Sequence, residues 1–474
     1  MSHSKMSARE RIDYLLDDRT FVELGSYISA RNTDFNLSAR KVQGDGVITG
    51  YGIMGDRMVY LYSQDASALG GSVGEMHARK ISALYDMAMK TGAPVIGMID
   101  CAGLRLQEAF DGLAAFGEIF KKQVQASGMI PQISAVFGMC GGGSAVMTGL
   151  SDFTLMEKEN ASLFVNSPNA LDGNSEDKEN TAASAYQAEK AGNVDFVCDS
   201  ETELLDTLRR LMAFLPSDYE SEDAYDDCED DLNRIIPVTT EMAEDPAALL
   251  KAVSDGNIFL ETKSMYAGEM VTGFMRLNGE TVGVAANRGL GEDLSLTVRG
   301  LEKAAGLIRF CDAFSIPVLT VTNTMGLKAN AHEERRMVSA LSRFTKEIAG
   351  ATVPRINLIT GRCYGTAGLV MNSKSLGADF VLAWPQASVG MMDPVQAIRI
   401  IYADEIESGE GKVTLIAEKT QEYEEMQSSA LAAAGRGYID DIIEPDATRK
   451  RLIAAFEMLF GKKEDAPAKK HSAI

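Results

Sequence analysis

"GAPVIGMID" at Gly92–Asp100 and "SIPVLTVTN" at Ser315–Asn323 decide the fold, because they are one passage written twice. Pro94 and Pro317 lie 223 positions apart. Pro131 in "IPQISAVFG" and Pro354 in "VPRINLITG" have the same separation. At that spacing Gly138, Cys140 and Gly142 recur as Gly361, Cys363 and Gly365, Lys80 recurs as Lys303, and Val59 recurs as Val282. A register held this long marks an internal duplication. Further upstream, "TFVEL" (Thr20–Leu24) resembles "IFLET" (Ile258–Thr262), with extra residues in the first copy.

Working outward, each copy carries the same plan. Apolar runs flank a tight-turn pair, Gly55-Asp56 in "GDGVITGYGIMGDRMVYLYSQD" and Asn278-Gly279 in "MVTGFMRLNGETVGVAAN", which predicts a hairpin. "GEMHARKISALYDMAMKTG" and "RGLEKAAGLIRFCDAF" then place apolar residues at helical spacing. Two buried strands follow, separated by a helix, and each copy ends in a glycine-rich corner that opens a further helix. The prediction is an α/β fold of tandem strand-strand-helix units.

The remaining composition bounds the function. With 474 residues, the chain exceeds one ordinary core. It carries 68 acidic and 46 basic residues, a formal charge of −22, so nucleic acid and anionic membranes are repelled at long range. Its six cysteines include no C-x-x-C pair and none has zinc-ligand spacing, and its four histidines are scattered. The start is polar, with no signal-peptide core, and no apolar run is long enough to span a bilayer. These features predict a cytoplasmic protein without a metal site. "PSDYESEDAYDDCEDDLNR" (216–234) reads as an acidic linker or exposed loop. The expected domains are 1–228 and 229–474. The tail from Gly461 reads as loosely ordered.

The corners are "GMCGGGSAVMTGL" (138–150) and "GRCYGTAGLVMNS" (361–373). A strand running through glycine into a helix exposes main-chain N–H groups at a partly positive helix end. Such a bend can hold a developing oxyanion. Tight helix–strand packing also selects small residues, but two corners in register favour function. The candidate donors are Gly142 and Gly143 in the first copy, and Thr366 and Ala367 in the second. No phosphate loop, nucleophile elbow or triad signature accompanies them. Two oxyanion holes without a nucleophile suit proton abstraction next to a thioester, with the base supplied by a cofactor.

Several blocks then become familiar. "SARERIDYLLDDRTFVEL" (7–24), the stretch from Gly70 to Phe120 containing "DCAGLRLQEAF", and "SGMIPQISAVFGMCGGGSAV" (127–146) resemble the first half of acyl-CoA carboxyltransferases. "EKAAGLIRFCDAFSIPV" (302–318), "ATVPRINLITGRCYGTAGLVM" (351–371), "LGADFVLAWPQASVGMM" (376–392) and "AGRGYIDDIIEPDATRKRL" (434–452) resemble the second half. The chain is similar to propionyl-CoA carboxylase β-subunits and to the carboxyltransferase subunits of methylmalonyl-CoA and glutaconyl-CoA decarboxylases. That resemblance implies two crotonase-like (ββα superhelix) domains. It implies transfer of CO2 between biotin and the α-carbon of a short-chain acyl-CoA.

The implied roles follow by position. The N-terminal domain takes the acyl-CoA, with Gly142, Gly143 and Gly103 near the thioester and Leu369 tuning the acyl group. The C-terminal domain takes biotin at Gly365, Thr366 and Ala367. The implied partners are a biotin carboxyl carrier protein, with biotin carboxylase or membrane decarboxylase subunits, in a homo-oligomer such as a hexamer. Three departures stand out: Thr366 and Leu104 where the family has glycine, and a 323–335 segment without the family's usual motif. Two other readings stay open. One is a biotin-independent crotonase-like enzyme using the first bend with Glu108 as base, and the other is a degenerate, non-catalytic subunit.

Among other residues, Arg105, Gln107 and Glu108 read as a solvated helix start. His77 reads as structural and Lys90 as a solvated helix-end lysine. Leu369 reads equally well as core packing.

Overall fold

The first helix, α1 (Ala8–Leu15), starts on a capping box in which Ser7 and Glu10 exchange side-chain-to-backbone hydrogen bonds. The computed structural model describes residues 5–31, 42–173, 179–221, 223–239, 242, 244–289, 293–408 and 412–464. The chain divides into two units, Met1–Ala224 and Tyr225–Ile474.

In the first unit, β1 (Val22–Leu24) pairs with β2 (Val47–Met54), which pairs with β3 (Arg57–Gln64), both antiparallel. Gly55 and Asp56, at φ 57° and 66°, close the predicted hairpin. Helix α2 (Glu75–Thr91) ends at Gly92, which takes the left-handed conformation at its C-cap. The chain continues through β4 (Val95–Cys101), α3 (Ala109–Ala126), β5 (Gln132–Gly141) and α4 (Gly143–Gly149). It then forms β6 (Phe153–Glu157), β7 (Ser162–Phe164), β8 (Phe196–Cys198) and α5 (Glu201–Phe214). The sheet order is β1-β2-β3-β4-β5-β6-β8, with β7 added against β5. From β3 onward the pairings are parallel. Accordingly β4 is buried along its whole length. Its Val95 and Ile99 pack with Ile81, Leu84 and Tyr85 of α2 and Ile119 of α3.

The second unit repeats this plan. It runs α6 (Pro246–Val253), β9 (Phe259–Thr262), β10 (Met270–Leu277), β11 (Glu280–Asn287), α7 (Val298–Ala313), β12 (Val318–Thr324) and α8 (Ala331–Gly350). It continues with β13 (Arg355–Tyr364), α9 (Gly365–Val370), β14 (Phe380–Ala383) and β15 (Ser388–Gly390). Further helices span Pro394–Ile401, Lys412–Tyr423 and Ala430–Gly435, before β16 (Asp441–Ile442) and a last helix, Thr448–Leu459. The sheet order is β9-β10-β11-β12-β13-β14-β16, with β15 against β13.

The spacing seen in the sequence is also the spacing of the structure. Strands β10 to β13 begin and end 223 positions after β2 to β5, and α7 begins 223 after α2. The irregularities repeat as well. The β4–β5 ladder breaks register between Ile99 and Cys101, and the β12–β13 ladder between Thr322 and Thr324. The residues set out of register, Asp100 and Asn323, are equivalent. Each crowds the space where Gly138 or Gly361 lacks a Cβ.

Candidate functional site

The first bend is built by Gly142. Its backbone sits at φ 60°, ψ −120°, between β5 and α4. A Cβ added there would meet nothing within 4 Å, so conformation rather than crowding calls for glycine. At Gly143 the reason differs, because an added Cβ would lie 2.8 Å from the Phe116 ring. The Gly142 N–H donates to the Phe164 carbonyl at 2.9 Å. That amide is committed to the fold, a role the sequence does not reveal. The Ala145 N–H donates to the Gly142 carbonyl at 3.1 Å. The N–H groups of Gly143 and Ser144 belong to the first helical turn, where no intrahelical acceptor exists. Gly142 and Gly143 are both half-buried. Gly103, at φ 99°, packs beside the bend, and its missing Cβ would lie 3.3 Å from the Gly141 carbonyl oxygen. Next to it, Leu104 bridges to Val73 and packs onto the core of the unit.

The second bend repeats the first with other side chains. Gly365 stands at φ 59°, and its missing Cβ would lie 3.2 Å from the Met391 carbonyl oxygen. The φ values therefore match Gly365 with Gly142, and the register matches Thr366 with Gly143. The sequence reading set Thr366 and Ala367 beside Gly142 and Gly143, one step further along the repeat than the backbone does. Thr366 is exposed and Ala367 is buried. Thr366 lies inside the helix, away from positive φ, so its branched side chain meets no backbone strain.

A pocket of about 330 Å³ opens beside this second bend. Gly365, Gly368 and Leu369 line one side, and Asn357, Ile359 and Val381 the sheet side. Leu369 is 46% exposed, so it does not pack into the core of its own unit. Cys363 also lines the pocket. Burial pushes its thiol up to about 12, as it does for Cys140 at the first bend. Both stay protonated at neutral pH, which removes a thiolate nucleophile from either bend.

The helix start at 105–108 is not solvated as expected. Arg105 is 1% exposed and Glu108 4%. The Arg105 guanidinium is paired with Asp45 and donates to Glu108 Oε1 at 2.9 Å. Glu108 Oε2 accepts the Glu75 N–H at 2.7 Å, which caps α2. Burial raises the Asp45 carboxyl, against the pull of Arg105. Arg105 and Glu108 thus form a buried brace, while Gln107 is exposed. The expectation of solvation rested on sequence position, and closing the brace over α2 overrides it. His77 is structural, as expected. Its Nδ1 lies 2.9 Å from the Asp45 carbonyl oxygen and its Nε2 3.1 Å from the Gln64 amide, and burial lowers its pKa to about 3. Lys90 is exposed at the end of α2.

The departing segment 323–335 is locally well capped. The Asn330 side chain accepts the His332 and Glu333 N–H groups at 3.0 Å each, and Glu333 caps Val298 at 2.7 Å. Among the described residues no cluster of histidine, cysteine or carboxylate side chains could hold a metal ion. No helix among them is long and apolar enough to cross a membrane. Asn357 was missed by the sequence reading. It is an amide among the aliphatic residues of "INLI", in a strand that also carries Arg355, Thr360 and Arg362.

The carboxyl transferase domain matches residues 1–474. The methylmalonyl-CoA decarboxylase subunit alpha of Propionigenium modestum is 37% identical over 99% of this chain and 93% of its own length. The propionyl-CoA carboxylase beta chain of Roseobacter denitrificans is 38% identical over 99% and 94%. Among solved structures, a transcarboxylase 12S hexamer with methylmalonyl-coenzyme A and methylmalonic acid bound superposes with a TM-score of 0.93. It is 31% identical, covering 99% of this chain and 92% of its own. The tandem crotonase-like plan is common to both.

Proposed function

The chain belongs to the carboxyl transferase domain family, and on that premise we propose that it moves a carboxyl group between biotin and the α-carbon of a short-chain acyl-CoA such as propionyl-CoA. A separate carrier protein brings the biotin. In this reading the N-terminal domain, drawn as 1–228, takes the acyl-CoA, and the C-terminal domain, drawn as 229–474, takes biotin. The observation that carries it is the paired bend: Gly142 and Gly365 hold the same positive φ, each turning a buried strand into a short helix.

At the first bend, Gly142 sets the turn and Gly143 presents its N–H to the thioester oxygen, with Ser144 behind it. Gly103 keeps the backbone close. At the second bend, Gly365 sets the turn, and the N–H groups of Thr366 and Ala367 hold the ureido oxygen. The fit is chemical: neutral main-chain donors suit a neutral urea, and Gly365 leaves only 3.2 Å between a would-be Cβ and the Met391 carbonyl. Bound biotin supplies the carboxyl group and the base for the α-proton. Leu369 stands at the position where the family resemblance implies tuning of the acyl group. Preorganised amides lower the barrier without reorganising as charge develops.

A biotin-independent hydratase would need a protein base, and the candidate Glu108 is held in the Arg105–Asp45 brace. That favours the biotin reading. Homo-oligomeric assembly is supported by the likeness to the 12S hexamer. The test is release of CO2 from methylmalonyl-CoA and malonyl-CoA, with and without free biotin. Biotin-dependent release is the expected result. Turnover of the thioester without biotin would assign the chain to a biotin-independent crotonase-like class, and no turnover of either substrate would make it a non-catalytic subunit.

A further inference from the structure

Helix α4 is only seven residues long, yet it carries the Gly143 N–H. A helix this short is held by packing rather than by its own hydrogen bonds. Helix α3 meets it at both ends. The Phe116 ring lies against Gly143, 2.8 Å from where a Cβ would stand. At the other end Gln123 Nε2 donates to the Met147 carbonyl at 2.9 Å. Phe116 is 3% exposed and Gln123 is fully buried. They stand two turns apart on α3, so both face α4. Gln123 is itself tied to the sheet, because Gln132 Nε2 at the start of β5 donates to its main-chain carbonyl at 3.0 Å.

The second unit lacks this seat. At the spacing of 223, Phe116 becomes Ser339 and Gln123 becomes Lys346. Neither supplies a ring or an amide, and the buried Lys346 ammonium makes no hydrogen bond. Thr366, the equivalent of Gly143, is exposed, whereas Gly143 is half-buried. A need common to both units, such as packing a short helix onto its sheet, does not account for a seat found in one of them.

We propose that Gln123 and Phe116 are positioning residues for the reaction, which fix the direction of the Gly143 N–H through α4. This rests on the carboxyltransferase reading, which gives that amide the thioester oxygen. Two supports fix a tilt that one would leave free. Gly143 and Met147 lie about 6 Å apart along the helix axis. Releasing the Met147 end therefore lets α4 pivot on the ring beneath Gly143. A displacement of about 1 Å at a catalytic group costs roughly a hundredfold in rate. Polarisation of the thioester carbonyl depends on the same geometry, because a hydrogen bond weakens steeply as it bends.

The test is isotope-edited infrared spectroscopy of propionyl-CoA, carbon-13-labelled at the thioester carbonyl, bound to the full chain in its native assembly. An aligned donor lowers the carbonyl stretching frequency below that of the free thioester. Gln123→Met keeps the approximate length of the side chain and deletes the donor. The bound stretch should move back toward the free value. Turnover of methylmalonyl-CoA should fall roughly ten- to hundredfold, with kcat carrying more of the loss than KM. Phe116→Leu withdraws the other support and should give the same shift, and it decides the matter if the methionine variant does not fold. A stretch that stays at the native frequency overturns the inference, even where the unfolding midpoint falls, because a purely structural contact behaves in that way. That outcome leaves the carboxyltransferase reading intact. A native stretch equal to that of the free thioester overturns the assignment of the first bend, and this inference with it.

Discussion

Ala109 and Gly142 hold nearly the same backbone conformation, φ 46°, ψ −120° and φ 60°, ψ −120°. One is a strained L-residue and the other is the residue that such a turn calls for. Both stand at the start of a helix, α3 and α4. The pair gives opposite expectations for two single substitutions. Ala109→Gly relieves strain of about 1–3 kcal/mol, partly offset by the wider freedom of glycine in the unfolded chain. The unfolding midpoint should rise by about 2–4 °C in a thermal scan.

Gly142→Ala introduces the same strain without a clash, because nothing stands within 4 Å of the new Cβ. The strained turn should relax and carry the Gly143 amide with it. Thermal stability should fall by about 1–3 kcal/mol. Turnover of methylmalonyl-CoA should fall roughly a hundredfold, the scale of a misplaced catalytic group. Unchanged turnover would show that the bend does not position a donor.

Glu108 separates a brace from a base. Glu108→Gln keeps an acceptor for the Glu75 amide and weakens the pair with Arg105. Stability should drop by about 1–3 kcal/mol. Turnover per folded molecule should stay level. A general base would behave in the opposite way, losing roughly 10²–10⁴ in rate with its stability intact.

His77 contributes a pH dependence of known sign. Burial lowers its pKa to about 3 in the fold, against about 6.5 in the unfolded chain. Between those values the unfolded chain binds the extra proton, so its contribution is complete above about pH 6.5 and is lost as pH falls toward 3. Each pH unit in that window is worth about 1.4 kcal/mol. His77→Gln should flatten this slope in denaturant titrations between pH 4 and 6, estimates that follow from the same linkage. A slope equal to that of the native chain would contradict the assignment.

Thr366 tests whether the second bend works through its main chain. Thr366→Gly retains the N–H and should keep turnover near the native value. Thr366→Pro deletes the N–H within the first helical turn, where proline is tolerated. Biotin-dependent turnover should then fall roughly 10²–10³-fold. Equal loss in both variants would assign the effect to the hydroxyl side chain instead.

Much of this architecture was legible in the sequence for a definite reason. Buried parallel strands permit little variation, so Pro94 and Pro317, and Gly142 and Gly365, keep their register across the duplication. The Gly55-Asp56 and Asn278-Gly279 turns were equally plain, since few residue pairs accept two positive φ values. Contacts between residues far apart in the chain were not legible. Nothing local to "RLQE" announces that Asp45, some sixty positions earlier, buries Arg105 and Glu108. Nor does the run Cys140-Gly-Gly-Gly reveal that Phe164 takes the amide of its second glycine. By residue type Thr366 stands out as a departure from glycine. The backbone puts Gly365 at the turn and leaves Thr366 on the helix.

A crystal structure of the native assembly with methylmalonyl-CoA is the most direct measurement of the central claim. The account predicts the thioester oxygen about 2.7–3.1 Å from the Gly143 nitrogen, at the mouth of the first bend. A thioester oxygen bound elsewhere, with side chains closing that bend, would contradict it.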